Sequence, residues 1–341
     1  MIKLAVFGAG RIGYVHALNA ASLSLVKLEY IVDPAPSAHV SDLAAKTGAR
    51  VVDTDTVFAD PSIQGVIIAS STDTHAELIL KSVAAGKAMF CEKPISLNFA
   101  LVTEVAQAVA KAGTPCMLGF QRRYDPNFRM VRERIESGIA GRLEQLIMHT
   151  RDPSPPPVEY VKRSGGMFRD QAIHDFDMAR YLLDEEIETV YAVGGCLIDP
   201  EIGKAGDIDT AMITLTSKSG RFVQMNNCRR APFGYDQRLE ALCQKEALYV
   251  ENRLKNSVTI ASAQGFSVAP PMDYFIERFA DAYRAEMLAF VEMLETGAQP
   301  LAGMQDGLEA QRLAEAAIVS MATGQAVQLG AGWMPSLHQG L

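Results

Sequence analysis

The chain of 341 residues has one tryptophan and only five cysteines, Cys91, Cys116, Cys196, Cys228 and Cys243, with no C-x-x-C pair among them. That spacing indicates neither a disulfide frame nor a cysteine zinc site and predicts buried free thiols. No run of lysine or arginine stands out, and 32 basic against 40 acidic residues leave a net charge of −8. Nucleic acid and anionic membrane are thereby disfavoured as partners. Long uninterrupted apolar stretches are missing, and Met1-Ile2-Lys3 lead straight into a strand pattern instead of a basic, apolar and small-residue signal. The expectation is a soluble, cytoplasmic chain with no membrane partner, which works on small molecules and associates with itself. Hydrophobic residues make up 48% and charged residues 21%, a globular composition, and the length suits about two domains.

What the chain does have is Gly8-Ala9-Gly10-Arg11-Ile12-Gly13 directly after the apolar run Leu4-Ala5-Val6-Phe7. Glycine at the first two positions allows a tight turn and close approach of backbone N–H groups to a pyrophosphate; the third lets a following helix pack on the strand. The helix N-terminus then faces the anion. Asp33 closes the next strand-like run, Tyr30-Ile31-Val32, where a carboxylate would accept from the ribose 2′-hydroxyl of NAD and repel the 2′-phosphate of NADP. No basic residue follows it in Pro34-Ala35-Pro36-Ser37-Ala38, so NAD is the expected cofactor.

From residue 1 to 118, strand-like runs (2–7, 28–32, 50–53, 65–69, 87–91, 115–119) alternate with helical stretches. This is the pattern of a doubly wound parallel sheet, an α/β Rossmann domain. Its crevice should lie at the carboxyl ends of the strands, where Ser70-Ser71-Thr72-Asp73-Thr74 and Glu92-Lys93-Pro94 fall. The texture then changes. Residues 119–341 predict an α+β domain: strands at 143–150, 189–197, 208–216, 221–228, 237–243 and 246–250 form a largely antiparallel open sheet. A proline-rich loop (Pro153, Pro155, Pro156, Pro157), a helix from Asp170 to Leu183 and two closing helices at 274–296 and 304–323 complete it.

Asp170 and His174 are four apart and on one helix would share a face. An imidazole takes a hydroxyl proton near neutral pH, and a neighbouring carboxylate orients it; alone, the pair reads rather as a helix cap with an incidental histidine, and it is the context that favours the catalytic reading. Lys93, between a buried strand and a proline, sits where the nicotinamide would lie, and its ammonium could stabilise charge on a substrate oxygen. Cys91-Glu92-Lys93-Pro94 together with the glycine fingerprint resembles the Gfo/Idh/MocA family of nicotinamide oxidoreductases. Gly119-Phe120-Gln121-Arg122-Arg123-Tyr124-Asp125-Pro126, the proline-rich loop after Thr150-Arg151-Asp152, the Asp170–Leu183 segment and Gly234-Tyr235-Asp236 narrow the likeness to its cyclitol-oxidising branch.

The resemblance implies that Lys93, Asp170 and His174 are the catalytic set. Gly8, Gly10, Arg11, Ile12, Asp33, Ser71, Thr72, Glu92 and Lys93 would bind NAD. It further implies a homotetramer and a cis peptide before Pro94. Asp152 and Tyr235 are the leading hydroxyl-binding residues, followed by Arg123 and Tyr283. Each has a plainer reading: Asp152 bracing its loop, Arg123 paired with an acid, Tyr283 packed in a core. His16, His75 and His149 read as hydrogen-bonded structural histidines, and no metal site is expected. Another cyclitol or an aldose as substrate, a glycosidase that recycles its cofactor and a non-catalytic sugar sensor remain the alternatives.

Overall fold

The computed structural model describes residues 1–35, 37–330 and 332–335. The chain divides into two compact units: Met1–Asp125 joined by Asp281–Glu309, and Pro126–Ala280 joined by the chain from Ala310 on.

In the first unit six strands, β1 (Ile2–Phe7), β2 (Val26–Val32), β3 (Arg50–Val51), β4 (Gly65–Ile68), β5 (Ala88–Glu92) and β6 (Cys116–Gly119), pair in parallel in the order β3-β2-β1-β4-β5-β6. β4 and β5 are buried along their whole length, as a sheet covered on both faces requires. The intervening helices have local start and stop signals: Asn98 Oδ1 accepts from Ala100 N at 3.0 Å, and Gly113 ends the same helix with φ 65°. The sequence places both closing helices in the second domain, but Ala280–Thr296 packs on the first sheet. Phe290 lies edge-on to Phe90, ring centroids 6.0 Å apart, and a side chain at Gly65 would run into Phe290 and Leu294. Its apolar stripe covers β4 and β5, a long-range pairing that no local pattern announces.

In the second unit β7 (Leu143–Arg151), β8 (Ile187–Gly195), β9 (Thr210–Ser217), β10 (Phe222–Cys228), β11 (Asp236–Cys243) and β12 (Ala247–Val250) build a sheet. Its order is β12-β11-β7-β10-β9-β8, and its one parallel pair is β7 with β10. Alternating burial along β7 and β9 shows one covered face and one open face. A separate hairpin, β13 (Thr259–Ser262) with β14 (Gly265–Val268), and a short edge strand β15 (Val327–Gln328) on β8 were not foreseen; the hairpin is exposed on every residue, so it lacks the alternating signal.

The expected continuous helix from Asp170 to Leu183 is two helices, Gly166–Asp170 and Ile173–Leu183. The Ala172 N–H donates to Met167 O, five residues back, at 2.9 Å, and the extra residue in that loop breaks the register. Asp170 therefore ends one helix while His174 lies in the first turn of the next. The expected helix at 274–296 is likewise interrupted at Phe279, between Phe275–Arg278 and Ala280–Thr296. Among the described residues no helix is long and apolar enough to cross a membrane.

Candidate active site

In the first unit the glycines are fixed by space. Gly8 has φ 89°, and a Cβ there would lie 2.5 Å from Ser70 Cα; a Cβ on Gly13 would lie 2.1 Å from Gly8 O. The helix Arg11–Ala21 thus rests directly on the turn that precedes it. Gly10 differs: it caps that helix without a side-chain acceptor, and an added Cβ would meet nothing within 4 Å. Backbone donors and open space at the positive end of a helix fit a pyrophosphate.

Asp33, at the end of β2, accepts from Ala9 N at 2.7 Å through Oδ2 and from Ala35 N at 2.9 Å through Oδ1. It ties the glycine turn to the β2 loop, and each oxygen keeps a second lone pair for a ribose hydroxyl. Replacing Asp33 with Ala should raise the KM for NAD by roughly tenfold, the size of a lost hydrogen bond to a charged group, and narrow the preference over NADP. Unchanged KM values for both cofactors would contradict this role.

Ser71 caps the helix Thr72–Ala84, and Ser70 Oγ lies 2.6 Å from Thr74 Oγ1. The buried His75 ring has Nδ1 2.9 Å from Pro94 O and Nε2 3.1 Å from Ser70 O, joining the loops that follow β5 and β4. Burial holds this imidazole below the usual histidine range despite both carbonyls, so the neutral ring donates to one of them at a time. Lys93 is half-buried one residue beyond β5, and its peptide to Pro94 is cis. Two expected substrate contacts are enclosed here. Arg123 donates to Asp306 Oδ1 at 2.9 Å and to Leu301 O, and Tyr283 and His16 pack edge-to-face, centroids 5.6 Å apart.

In the second unit Asp152 follows β7. Its N–H donates to Cys228 O at 2.9 Å, its carbonyl accepts from Ala231 N at 2.7 Å, and its Oδ2 accepts from Gln171 Nε2 at 2.7 Å. Asp152 thus braces the loop against the end of β10 and the interhelical turn. Asp170 accepts from the Tyr160 hydroxyl at 2.9 Å and lies 3.6 Å from Arg229 Nη1. Arg229, 1% exposed, also donates to Asp207 Oδ2 at 3.1 Å. Burial opposes its charge, but Asp170 and Asp207 raise its pKa above the ordinary guanidinium value.

His174 is half-buried, and the residue after it, Asp175, anchors its helix: one carboxylate oxygen accepts from Thr150 Oγ1 and the other from Asn227 Nδ2, each at 2.7 Å. His149 on β7 is held below the usual histidine range by burial, and by Arg238 and Arg151. Tyr235, just before β11, packs its ring 5.9 Å from Tyr274 and edge-on to Phe279 at 6.3 Å. The residues missed from sequence are Tyr160 and Arg229, which hold Asp170, and Asp175. Arg229 lies in Cys228-Arg229-Arg230 directly after β10, and that pair of arginines at a strand end is its one sequence signal. Tyr160→Phe should lower turnover by about three- to thirtyfold with the fold intact, since it removes one charge-assisted hydrogen bond to Asp170. Wild-type turnover in this variant would remove Tyr160 from the site.

Residues 2–120 match the Gfo/Idh/MocA oxidoreductase model for the NAD-binding Rossmann fold, and residues 132–329 match the same family's C-terminal alpha/beta domain. The chain belongs to the Gfo/Idh/MocA oxidoreductases. Its NAD-binding domain is the one whose glycine cradle and Asp33 are described above. Among family members, inositol 2-dehydrogenase of Rhizobium meliloti is 42% identical over 328 residues, 96% of this chain and 99% of that one. The solved myo-inositol dehydrogenase of Corynebacterium glutamicum superposes with a TM-score of 0.93 at 38% identity, covering 97% of this chain and 99% of that one. Scyllo-inositol dehydrogenase of Lactobacillus casei, solved with NAD(H) and scyllo-inositol, gives 0.89 at 29% identity, covering 96% and 99%.

Proposed function

We propose that this oxidoreductase converts myo-inositol to 2-keto-myo-inositol (scyllo-inosose) with NAD, as an inositol 2-dehydrogenase of inositol catabolism in the cytoplasm. The observation that carries the reading is Asp170, held by Tyr160 and Arg229 and followed four residues later by His174, in a chain 42% identical to a protein of that name. When bound, NAD supplies the hydride acceptor. His174 is the base that takes the hydroxyl proton, Asp170 orients and stabilises the imidazolium that forms, and Lys93 donates to the same oxygen as charge develops on it.

Gly8, Gly10, Arg11 and Ile12 are assigned to the pyrophosphate, Asp33 to the ribose, and Ser71, Thr72 and Lys93 to the nicotinamide half, with Glu92, whose carboxylate is held by His16, behind Lys93. Asp152 and Tyr235 are assigned to substrate hydroxyls. Arg123 and Tyr283, each 4% exposed, enter as supports that reach substrate only if their packing opens. Residues 1–118, with the helix Ala280–Thr296 that packs on their sheet, serve as the nucleotide domain, and the rest of residues 119–341 as the substrate-binding and assembly domain. A homotetramer is supported by the open face of the second sheet, where Tyr191, Val193, Met212, Phe222 and Tyr249 are all exposed. Light scattering should return about four times the chain mass.

The test is NADH formation, followed by its near-ultraviolet absorbance, with myo-inositol, scyllo-inositol, D-chiro-inositol and glucose, each with NAD or NADP. Fastest NADH production from myo-inositol and NAD is expected. Preference for scyllo-inositol is the second reading, favoured by the likeness to the Lactobacillus casei enzyme. Silence with every inositol would sink the substrate assignment, and release of sugar from a glycoside without net NADH would make the chain a glycosidase.

A further inference from the structure

Beneath the Glu92-Lys93-Pro94 turn lie three buried ionisable side chains from three separate elements of the first unit. His16 is on the helix Arg11–Ala21, Glu92 is the last residue of β5, and Glu286 is on the helix Ala280–Thr296. One donor or acceptor atom from each lies within 4.8 Å of the others. His16 and Glu286 are both 0% exposed. His16 Nε2 is 2.6 Å from Glu92 Oε1, a charge-assisted hydrogen-bond distance. Both Glu286 carboxyl oxygens are shielded from solvent and have no hydrogen-bond partner among the described residues. The surroundings are apolar: Phe90 and Tyr283 edge onto the His16 ring, and Phe290 edges onto Phe90. The Glu92 carboxylate lies over Gly119, where an added Cβ would come within 2.9 Å of it, so a side chain at 119 would crowd the cluster.

Two carboxylates this close in an apolar enclosure cannot both be ionised, and the imidazole beside them, His16, is engaged by Glu92. Burial, reinforced by the charge of Glu92, pushes the Glu286 carboxyl well above its ordinary range. We propose that His16, Glu92 and Glu286 form a positioning unit for Lys93, in which Glu286 is the neutral acid beside the hydrogen-bonded His16–Glu92 pair. Glu92 immediately precedes Lys93, so whatever fixes the end of β5 fixes the start of the turn that carries the ammonium. The alternative occupant of such a cluster is a divalent cation bound by one imidazole and two carboxylates. It would have to displace the proton from the 2.6 Å His16–Glu92 bond and ionise Glu286.

The role of Lys93 is the one proposed above, whereas the charge state of the cluster is independent of it. The experiment compares Glu286→Gln, Glu286→Leu and wild type in three measurements: infrared absorption of protonated carboxyl groups, metal content of the purified protein, and kcat and KM with myo-inositol and NAD. Expected are a buried protonated-carboxyl band that is lost in both variants, and no stoichiometric metal. Glu286→Gln, which keeps a neutral donor of the same shape, should retain kcat within about twofold. Glu286→Leu, which removes the polar neighbour of the His16–Glu92 pair, should lose roughly tenfold in kcat with little change in either KM. A glutamine variant as impaired as the leucine variant, absence of the infrared band, or one equivalent of divalent cation that Glu286→Gln removes would each overturn the proposal. If wild type forms no NADH from any polyol, the dehydrogenase reading fails, while the band and the metal content still decide the state of Glu286.

Discussion

Replacing His174 with alanine should lower kcat by roughly two to four orders of magnitude, the range by which a positioned general base accelerates proton transfer. NADH binding should remain near wild type, because the glycine cradle and Asp33 belong to the other compact unit. The fold should survive as well. His174 is half-buried at the start of its helix, and that helix is held by Asp175 through Thr150 and Asn227. The loss should fall on kcat and kcat/KM together, the signature of an interaction made in the transition state. Turnover within about threefold of wild type would show that His174 is not the base, since one effective base contributes at least about a hundredfold.

The second large effect is expected at Gly13. A methyl group there would sit 2.1 Å from Gly8 O and 3.0 Å from Gly8 C, and the Gly8 turn cannot move aside because its own Cβ position is 2.5 Å from Ser70 Cα. Either the helix Arg11–Ala21 lifts from β1 or the turn deforms, and both displace the donors that face a pyrophosphate. Gly13→Ala should therefore lower NADH affinity by about a hundredfold or more and cost about 1–3 kcal/mol of stability, as overpacked sites do. Gly10→Ala is the contrasting variant. Its Cβ meets nothing within 4 Å, so thermal stability should hold while NADH affinity falls, because that open space is the part of the cradle assigned to the pyrophosphate. Fluorescence titration with NADH alongside thermal unfolding separates the two. Wild-type affinity and stability in Gly13→Ala would refute the close packing.

What was legible in the sequence was local. The glycine turn, Asp33 and the strand ends that carry Ser71 and Lys93 follow from a strand–turn–helix pattern in which each signal lies within a few residues of the feature it specifies. What was not legible depends on contacts between distant positions. The break between Asp170 and His174 turns on one backbone bond from Ala172 to Met167, and four-residue spacing reads the same with or without it. Arg229 reaches Asp170 and Asp207 from just past the end of β10, 59 and 22 positions away, so its role is invisible to periodicity. Glu286 is a similar case. On an amphipathic helix it reads as a solvated charge, and only the packing of that helix on the first sheet buries it beside Glu92. His16 was correctly expected to be hydrogen-bonded, but its partner, 76 residues on, was not identified.

The most direct test of the central claim is the fate of the hydride. Myo-inositol carrying deuterium on its second ring carbon is incubated with the protein and NAD, and the nicotinamide and the ring product are analysed by mass and NMR. Deuterium on C4 of the reduced nicotinamide, with a ketone at the same ring carbon, is the predicted result. Reduced cofactor without the label, or label washed into solvent with no ketone formed, would contradict NAD-dependent oxidation at that carbon.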